Sequence, residues 1–336
     1  MRQIILILTL SFCLTAHAAD YVVLVSVDGL GSVYLQRLLD AGQLPNFKKL
    51  LAESAGTANA RTDYNNTVTL PNHTGMLTSR RVAEAAGHNW LSNTDPANGV
   101  TLQSNKGAYL ASVFDVVHDH GLRTGLWATK TKFVLFKVSY DEAHGAPDIT
   151  GSNNGRNKLN CFDIEDSRAL IANFLNIMRT KPCQFAFVHF GDTDAAGHSQ
   201  GWGSADYNAA LITLDGYLGQ ILELIANQPK LKGKTDLILT ADHGGDGKNH
   251  SDATKLLDYT IPFYVWGSDV TAGDLYLLNP QTRQSPGESR PDYTATTQPV
   301  RNADAGNLAL SLLGLPPIPG STVNAKQDLR VRTGGP

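Results

Sequence analysis

The stretch of residues 239–250, LTADHGGDGKNH, limits the possible folds of this chain more than any other, because it places Asp242, His243 and His250 just after an apolar run. Residues 235–241 (TDLILTA) are rich in branched apolar side chains, which is typical of a buried β-strand. The strand would deliver Asp242 and His243 at its carboxyl end, where open α/β sheets form their sites. A carboxylate and an imidazole are ligand types suited to zinc, and the alternative for this stretch alone is a polar turn with a capping Asp.

An apolar run with an acidic end also occurs near the start of the chain. Residues 21–27 (YVVLVSV) form a continuous apolar run, as expected of a strand covered on both faces in a parallel sheet, and Asp28 follows directly. Helical spacing of apolar residues follows in residues 33–42 and 45–54. Strands and helices continue to alternate, which predicts an α/β fold with a mostly parallel central sheet and helices on both faces.

A third apolar run ends in a cluster of acidic residues and a histidine. Residues 184–190 (QFAFVHF) predict a strand, and GDTDAAGH follows it with Asp192, Asp194 and His198. Asp194 and His198 are four residues apart, so both lie on one side of a helical turn. Spacing does not separate Asp192 from Asp194 as the functional carboxylate, and a capping Asp with an exposed His is the alternative. His189 lies inside the strand, where we expect a core histidine.

A polar cluster around Pro71 predicts the start of a helix with an anion site at its first turn. Residues 64–79 (YNNTVTLPNHTGMLTS) contain Thr67 and Thr69, and Pro71 suits a first helical turn. The free N–H groups of that turn would point back towards Thr69 and form an anion site. The alternative is that Thr69 only caps the helix.

Two lysines follow a further predicted strand. Residues 123–129 (RTGLWAT) predict the strand, and Lys130 and Lys132 come after it. Lysines beyond a strand end can hold an anionic part of a substrate, and a solvated pair is the alternative.

If carboxylates and imidazoles from three strand ends meet at one edge of the sheet, the repulsion between their like charges must be offset. Like charges in close contact raise pKa values and cost stability, and two divalent cations would compensate them. Ligation by nitrogen and oxygen without thiolates favours zinc, with manganese or iron as weaker alternatives. The candidate ligands are Asp28, Asp194, His198, Asp242, His243 and His250.

The N-terminal sequence MRQIILILTLSFCLTAHA predicts export. It combines Arg2, an apolar run and an Ala-x-Ala ending at Ala18, which is typical of a secretory signal peptide over residues 1–18 with cleavage after Ala18. It is too short for a membrane anchor, and periplasmic and fully secreted destinations are equally compatible with it. Its removal takes away one positive charge, so the formal net charge of −3 becomes −4. Such a balance predicts neither a nucleic-acid groove nor a polybasic membrane face.

Two cysteines remain after the signal peptide, Cys161 and Cys183. In an oxidising compartment an even pair predicts one disulfide, which would stabilise the fold by about 3 kcal/mol if unstrained. Two separate buried thiols are the alternative.

Four motifs in this order resemble the alkaline phosphatase superfamily, specifically its nucleotide pyrophosphatase/phosphodiesterase branch. They are VSVDG at Asp28, TLPNH at Thr69, DTDAAGH at Asp194 and TADHGG at Asp242. The resemblance covers most of the chain after the signal peptide and favours Asp194 over its competitor. It implies an alkaline phosphatase-like fold, and we find no linker that would divide residues 19–336 into more than one catalytic domain.

The resemblance also implies two zinc sites beside a threonine nucleophile. The first zinc would be held by Asp28, Asp242 and His243, with the oxygen of the nucleophile Thr69 as a further ligand. The second zinc would be held by Asp194, His198 and His250. The short spacing of the last histidine resembles compact bacterial members of the branch, which leaves nucleotide specificity open.

Three further residues are implied in substrate binding. The branch uses an asparagine after the nucleophile helix to hold a phosphoryl oxygen, and Asn89 in Gly-His-Asn-Trp is the match chosen here. The segment ATKTKF, with Lys130 and Lys132, is similar to a lysine-bearing segment of phosphonoacetate hydrolase, where lysines would bind a substrate carboxylate.

These observations predict an exported two-zinc hydrolase that cleaves phosphodiester or phosphoanhydride bonds of a small molecule through a phospho-threonine at Thr69. The same site could act on phosphonates or phosphomonoesters. From another class, the chain could be an inactive exported protein that binds phosphate or nucleotide. A sulfatase is disfavoured, because the Cys or Ser nucleophile of that branch is absent. The sequence does not predict an oligomeric state.

Overall fold

The fold is built on one eight-stranded sheet, seen in a computed structural model that describes residues 18–150 and 153–332. The predicted signal peptide therefore lies outside the described residues, except for Ala18. The strands in chain order are β1 Tyr21–Val27, β2 Ala55–Arg61, β3 Thr124–Ala128, β4 Cys161–Ile164, β5 Phe185–Phe190, β6 Thr235–Thr240, β7 Thr260–Trp266 and β8 Gly273–Asp274.

Twelve α-helices and one short 3₁₀ helix, Thr131–Phe133, accompany the sheet in the described part of the chain. The α-helices in chain order are α1 Ser32–Asp40, α2 Pro45–Ala52, α3 Thr69–Thr78, α4 Leu102–Lys106, α5 Val113–Asp119, α6 Val134–Ser139, α7 Ser167–Thr180, α8 Asp192–Gln200, α9 Ala205–Asn227, α10 Leu256–Tyr259, α11 Leu275–Leu278 and α12 Asp304–Leu312.

The sheet is mostly parallel, as predicted. Its strand order is β4-β3-β5-β1-β6-β7-β2-β8, and only β7 runs against its two neighbours. The central strands β5, β1 and β6 are parallel and adjacent, with Val27 opposite Phe190 and Ser26 opposite Thr240. Their carboxyl ends therefore meet at one place on the edge of the sheet.

Helices cover both faces of the sheet, because side chains of a strand alternate between the faces. On β5, Phe185 contacts Phe114 of α5, whereas Phe190 stacks on Tyr217 of α9 with ring centroids 5.7 Å apart. One layer contains α3, α5 and α12, and the other contains α1, α2, α7 and α9. This arrangement confirms the predicted α/β fold with a buried sheet.

Helix α9 is long and apolar enough to cross a membrane by length and composition alone. Its apolar stripe, which includes Leu211, Leu218 and Ile221, is buried, and the helix packs on α2, α7 and α8. It is therefore a core helix of the fold. Ser204 caps its first turn by accepting a hydrogen bond from the Tyr207 N–H.

Three paired strands, β2, β4 and the two-residue β8, were not predicted from the sequence. Strand β2 has the sequence AGTANAR, whose Ala, Gly and Asn residues have low β-propensity. It is held by antiparallel pairing with β7, where Ala55 lies opposite Val265. Strand β4 lies at the edge of the sheet and is only half-buried. That residues 19–336 form a single catalytic domain stays a prediction.

The predicted disulfide between Cys161 and Cys183 is not formed. Both cysteines are free, and their sulfur atoms lie 3.7 Å apart, well beyond the ~2.05 Å of an S–S bond. Cys161 begins the edge strand β4, and Cys183 is buried just before β5. The two thiols make a side-by-side contact in place of the expected covalent link.

Candidate active site

Three carboxylates meet at the carboxyl edge of the sheet. Asp28 directly follows β1, Asp242 comes two residues after the end of β6, and Asp194 lies in the first turn of α8, which follows β5. All three side chains are buried. The N–H of Gly29 donates to Oδ1 of Asp242 over 3.0 Å and so connects the segments that follow β1 and β6.

A first cluster forms around the imidazole of His243. Its Nε2 lies 3.2 Å from Oδ2 of Asp242 and 3.4 Å from Oδ1 of Asp28. Oδ1 of Asp194 lies 3.9 Å from the same nitrogen. These four atoms are buried, and none has a hydrogen-bond partner among residues 18–150 and 153–332. Buried polar atoms are normally hydrogen-bonded. The unpaired carboxylate oxygens and imidazole nitrogen of this cluster are therefore the donor atoms expected of a divalent-cation site.

A second cluster shares Asp194 with the first. Oδ1 of Asp194 lies 3.4 Å from Nε2 of His198 and 3.7 Å from Nε2 of His250. The two imidazole nitrogens lie 3.1 Å apart. His198 is 47% exposed and His250 only 6%, so this cluster opens towards solvent. The three ligand atoms lie close enough together for one metal ion.

The outer ring nitrogens of the three histidines contact backbone carbonyl groups. Nδ1 of His243 lies 2.8 Å from the Gly244 oxygen, and Nδ1 of His250 lies 2.5 Å from the Thr67 oxygen. Nδ1 of His198 contacts the Lys248 oxygen at 3.1 Å. A carbonyl oxygen can only accept a hydrogen bond, so each Nδ1 carries a proton and Nε2 is the ring nitrogen that faces the site.

Thr69 is the first residue of helix α3 and is buried. The cap position belongs to Val68, and no side chain caps the helix there. The alternative that Thr69 serves as a helix cap is therefore wrong. Its hydroxyl lies 3.5 Å from Nζ of Lys130, and its carbonyl oxygen contacts Nδ1 of His73 at 2.8 Å.

The Lys130 ammonium links the two clusters. Nζ lies 2.7 Å from Oδ2 of Asp28 and 2.6 Å from Oδ2 of Asp194. Each carboxylate thus uses one oxygen for the lysine and keeps the other for its cluster. Burial opposes the charge of Lys130, but the surrounding carboxylates raise its pKa above the ordinary value, so the ammonium is a permanent cation of the site.

Protonation in the first cluster is set by burial and by neighbouring charges. Burial of Asp28 opposes its ionisation, but the Lys130 ammonium and contacts with two imidazoles hold its pKa well below the ordinary value. Burial and the Asp28 carboxylate raise the pKa of Asp242 to about 7. Burial favours the neutral imidazole of His243, but the Asp242 and Asp28 carboxylates outweigh it and raise its pKa to about 9. Without a cation the cluster therefore retains protons at neutral pH.

The side chain of Asn89 contacts groups outside the two clusters. Its backbone is left-handed, with φ of 60°, and its side-chain amide contacts the Glu84 carbonyl oxygen at 2.8 Å and the Lys106 ammonium at 3.1 Å. The role predicted for Asn89 stays a prediction. Asn93, four positions further along the same loop, contacts the start of α3.

Asn93 holds the first turn of the nucleophile helix. Its Oδ1 accepts from the N–H of Leu70 over 2.9 Å and from Nζ of Lys132 over 3.2 Å. The sequence offered two asparagines four positions apart in one loop, and no local pattern distinguished them. Lys132 therefore contacts Asn93, whereas Lys130 contacts carboxylates of both clusters directly.

His189 was expected to be a core histidine, and it is one, but its partner is a carboxylate of the site. It is fully buried, and Nε2 lies 2.9 Å from Oδ2 of Asp28. The pairing register would have indicated the contact, since His189 lies opposite Ser26 and so beside the end of β1. Asp192, the competitor of Asp194, instead accepts a hydrogen bond from Ser167.

This architecture resembles that of alkaline phosphatase and related hydrolases. The solved structures that resemble it include alkaline phosphatase PafA, with a TM-score of 0.63 and 13% identity over 94% of this chain and 99% of that one. They also include murine ectonucleotide pyrophosphatase/phosphodiesterase 5, an inactive form in complex with AMP, with a TM-score of 0.61 and 14% identity over 92% and 99%. At these identities the likeness shows the fold.

The chain belongs to the type I phosphodiesterase / nucleotide pyrophosphatase family, whose profile it matches over residues 22–308. Among curated proteins, ectonucleotide pyrophosphatase/phosphodiesterase family member 3 of Rattus norvegicus is 28% identical over 249 residues, which are 73% of this chain. The protein of the same name from Mus musculus is 27% identical over the same share. The chain spans about a quarter of the length of these relatives, 27% in each case.

Proposed function

We propose that this protein is an exported two-zinc hydrolase that cleaves phosphodiester or phosphoanhydride bonds through a phospho-threonine intermediate on Thr69. One observation carries the proposal. Oδ1 of Asp28, Oδ1 of Asp194, Oδ2 of Asp242 and Nε2 of His243 converge, buried and unpaired, next to a lysine that also contacts the Thr69 hydroxyl. Such a donor set fits a divalent cation beside a nucleophile.

Two groups of side chains would hold the two ions, and both consist of nitrogen and oxygen donors. The first group is Asp28, Asp242 and His243, with Thr69 beside it. The second group is Asp194, His198 and His250. Zinc suits these donors best, with manganese or iron as alternatives. When bound, the cations would lower the pKa of the Thr69 hydroxyl, offset charge on the leaving oxygen and supply an activated water.

The chain's own residues would arrange the substrate for attack. Thr69 Oγ would form a bond to phosphorus in line with the leaving oxygen, whose bond to phosphorus breaks. Its position at the first residue of α3 is fixed by the contact of its carbonyl oxygen with His73. Water would then break the Thr69 O–P bond, release phosphate or its monoester, and restore the hydroxyl.

Lys130 and Asn93 would bind the non-bridging oxygens. The Lys130 ammonium is held between two carboxylates at 3.5 Å from Thr69 Oγ, so it needs no reorganisation as negative charge develops. The two contacts that Asn93 accepts through Oδ1 leave the two N–H donors of its amide for a substrate oxygen.

A second candidate activity is hydrolysis of phosphomonoesters or phosphonates at the same site. The observation that favours it is the pair Lys130 and Lys132, since a further cation suits the additional negative charge of a monoester or the carboxylate of phosphonoacetate. A nucleotide as substrate is supported by the murine relative that was solved with AMP. An inactive phosphate- or nucleotide-binding protein is the remaining alternative.

Three substrates tested side by side on zinc-loaded protein distinguish these candidates: bis-p-nitrophenyl phosphate, p-nitrophenyl phosphate and phosphonoacetate. We expect the diester to give the highest kcat/KM. A higher value for either of the other two assigns the second activity. Absence of turnover with all three, in protein that binds two zinc ions, would leave the binding function. Export is tested separately by the N-terminal residue of protein recovered from the source cells, expected at Ala19.

A further inference from the structure

Trp202 contacts every chain segment that supplies the candidate metal ligands. Its indole Nε1 donates to the carbonyl oxygen of Gly29, the neighbour of Asp28, over 2.8 Å. Its backbone N–H donates to the carbonyl oxygen of Gly247 over 2.7 Å, in the loop that leads to His250. Trp202 itself follows α8, which carries Asp194 and His198. The side chain is 7% exposed.

The indole ring also packs on the three imidazoles themselves. Its centroid lies 5.3 Å from that of His198 and 5.7 Å from that of His250, both edge-to-face, and 6.5 Å from that of His243. These separations are within the range of favourable aromatic pairs. The histidines belong to both clusters, so one ring supports both candidate ion sites.

Two glycines make room for the indole in this position. A Cβ atom on Gly197, next to His198, would lie 2.7 Å from ring atoms of Trp202. A Cβ atom on Gly245, two residues after His243, would lie 2.3 Å from them. Both distances are shorter than any ordinary contact, so the ring is enclosed between the backbones of two ligand-bearing segments. The imidazoles therefore have little freedom to move independently of it.

We propose that Trp202 is a positioning residue that holds His198, His243 and His250 in the geometry for binding both metal ions. This inference rests on the proposed function. The indole touches no reacting atom, and its effect would be exerted through metal affinity. Residues that orient metal ligands typically change metal affinity by about 10- to 100-fold when they are removed.

The test is zinc affinity, measured on metal-free protein by competition with a chromophoric chelator, in Trp202→Phe and Trp202→Ala. Trp202→Ala should lower the zinc affinity of both sites by about 10-fold or more. Trp202→Phe keeps a ring against the imidazoles but loses the hydrogen bond to Gly29, so its affinities should lie between those of Trp202→Ala and wild type. Trp266→Phe is the matched control, because the Trp266 indole donates to the exposed Glu53 and contacts none of the candidate ligands, and wild-type affinity is expected.

A spectroscopic measurement accompanies the titration. Zinc binding should change the tryptophan emission of the wild type, and the change should be lost in Trp202→Phe. It should persist in Trp266→Phe, since the Trp266 indole donates to Glu53 on another part of the surface.

The outcomes separate this inference from the proposed function. Lower zinc affinity at both sites in the folded Trp202 variants supports the positioning role of Trp202. Unchanged affinity for either ion in Trp202→Phe and Trp202→Ala overturns it, even if the thermal stability of the metal-free protein falls. If Trp202→Ala does not fold, Trp202→Phe decides alone. Wild-type protein that binds no zinc would overturn the proposed function and this inference together.

Discussion

Nε2 of His189 donates to Oδ2 of Asp28 over 2.9 Å. The direction of this hydrogen bond follows from the other side of the ring, where Nδ1 accepts from the Thr129 backbone N–H over 3.4 Å and also contacts the Thr129 hydroxyl at 3.2 Å. A backbone N–H only donates, so the proton of the neutral ring is on Nε2. His189 therefore fixes one oxygen of Asp28 and turns the other, Oδ1, towards the first cluster.

Replacing His189 should weaken zinc binding. His189→Phe removes the donor to Asp28, and we expect a loss of about 10-fold or more in zinc affinity. His189→Gln retains an N–H donor and should restore part of the loss. His120→Gln, at an exposed histidine outside the site, serves as the control. Zinc affinities measured by chelator competition check the prediction, and wild-type affinity in His189→Phe would contradict it.

Thr69→Ala should abolish turnover and leave metal content intact. The hydroxyl is the proposed attacking group, whereas the cluster donors do not depend on it for their orientation. Thr69→Ser, which keeps a hydroxyl, should retain measurable activity. Activity towards bis-p-nitrophenyl phosphate and zinc content by elemental analysis are the two measurements. Turnover by Thr69→Ala at the wild-type rate would remove Thr69 as the nucleophile.

Asn93→Ala should reduce kcat/KM by about 100-fold, the lower end of the effect of removing a donor to a developing oxyanion. Asn89→Gly is the matched control, because it lies in the same loop and glycine accepts its left-handed backbone at φ of 60°. We expect Asn89→Gly to keep wild-type kcat/KM. The reverse result, with activity lost only in Asn89→Gly, would restore the assignment made from the sequence.

The sequence was sufficient to predict the parts of the site that follow strongly apolar strands. Strands β1, β5 and β6 are rich in apolar residues, and parallel strands must end at the same edge, so the meeting of Asp28, Asp194 and Asp242 could be predicted. Strand β2 could not, because its Ala- and Gly-rich sequence forms a strand only when β7 is present to pair with it.

The residues missed at the site depend on geometry that spacing does not contain. The contact of Asn93 with the first turn of α3 depends on the path of the loop that follows α3. The contact of His189 with Asp28 depends on strand order and register, which place β5 directly beside β1. Both are properties of tertiary pairing.

Cys161 should react with alkylating agents and Cys183 should not. The hydrogen bond from Cys183, with the Arg123 guanidinium nearby, lowers the pKa of the Cys161 thiol to about 6, whereas Cys183 is fully buried. Iodoacetamide at pH 7 should modify one thiol, identified by peptide mass spectrometry. Cys161→Ser should abolish the rapid reaction, and equal modification of both thiols in the native protein would contradict this account.

Zinc affinity should depend steeply on pH, because the ligands of the first cluster hold protons when no cation is bound. The pKa of His243 is raised to about 9 and that of Asp242 to about 7, so zinc must displace protons below these values. Between pH 9 and pH 7, affinity should fall by about 10-fold per unit as one proton is displaced, and below pH 7 more steeply as the second joins. Burial lowers the pKa of His250 to about 2, so that imidazole is already neutral and adds no proton.

Apparent zinc dissociation constants between pH 6 and pH 9, together with calorimetry in buffers of different ionisation enthalpy, measure this dependence and count the released protons. We expect the number of protons released on zinc binding to increase from pH 8 to pH 6, because Asp242 becomes protonated in addition to His243. Asp242→Asn should remove the steeper part below pH 7, since an amide has no proton to lose, although it should also bind zinc more weakly. An affinity that stays constant from pH 7 to pH 9 would show that His243 is not a ligand that must be deprotonated.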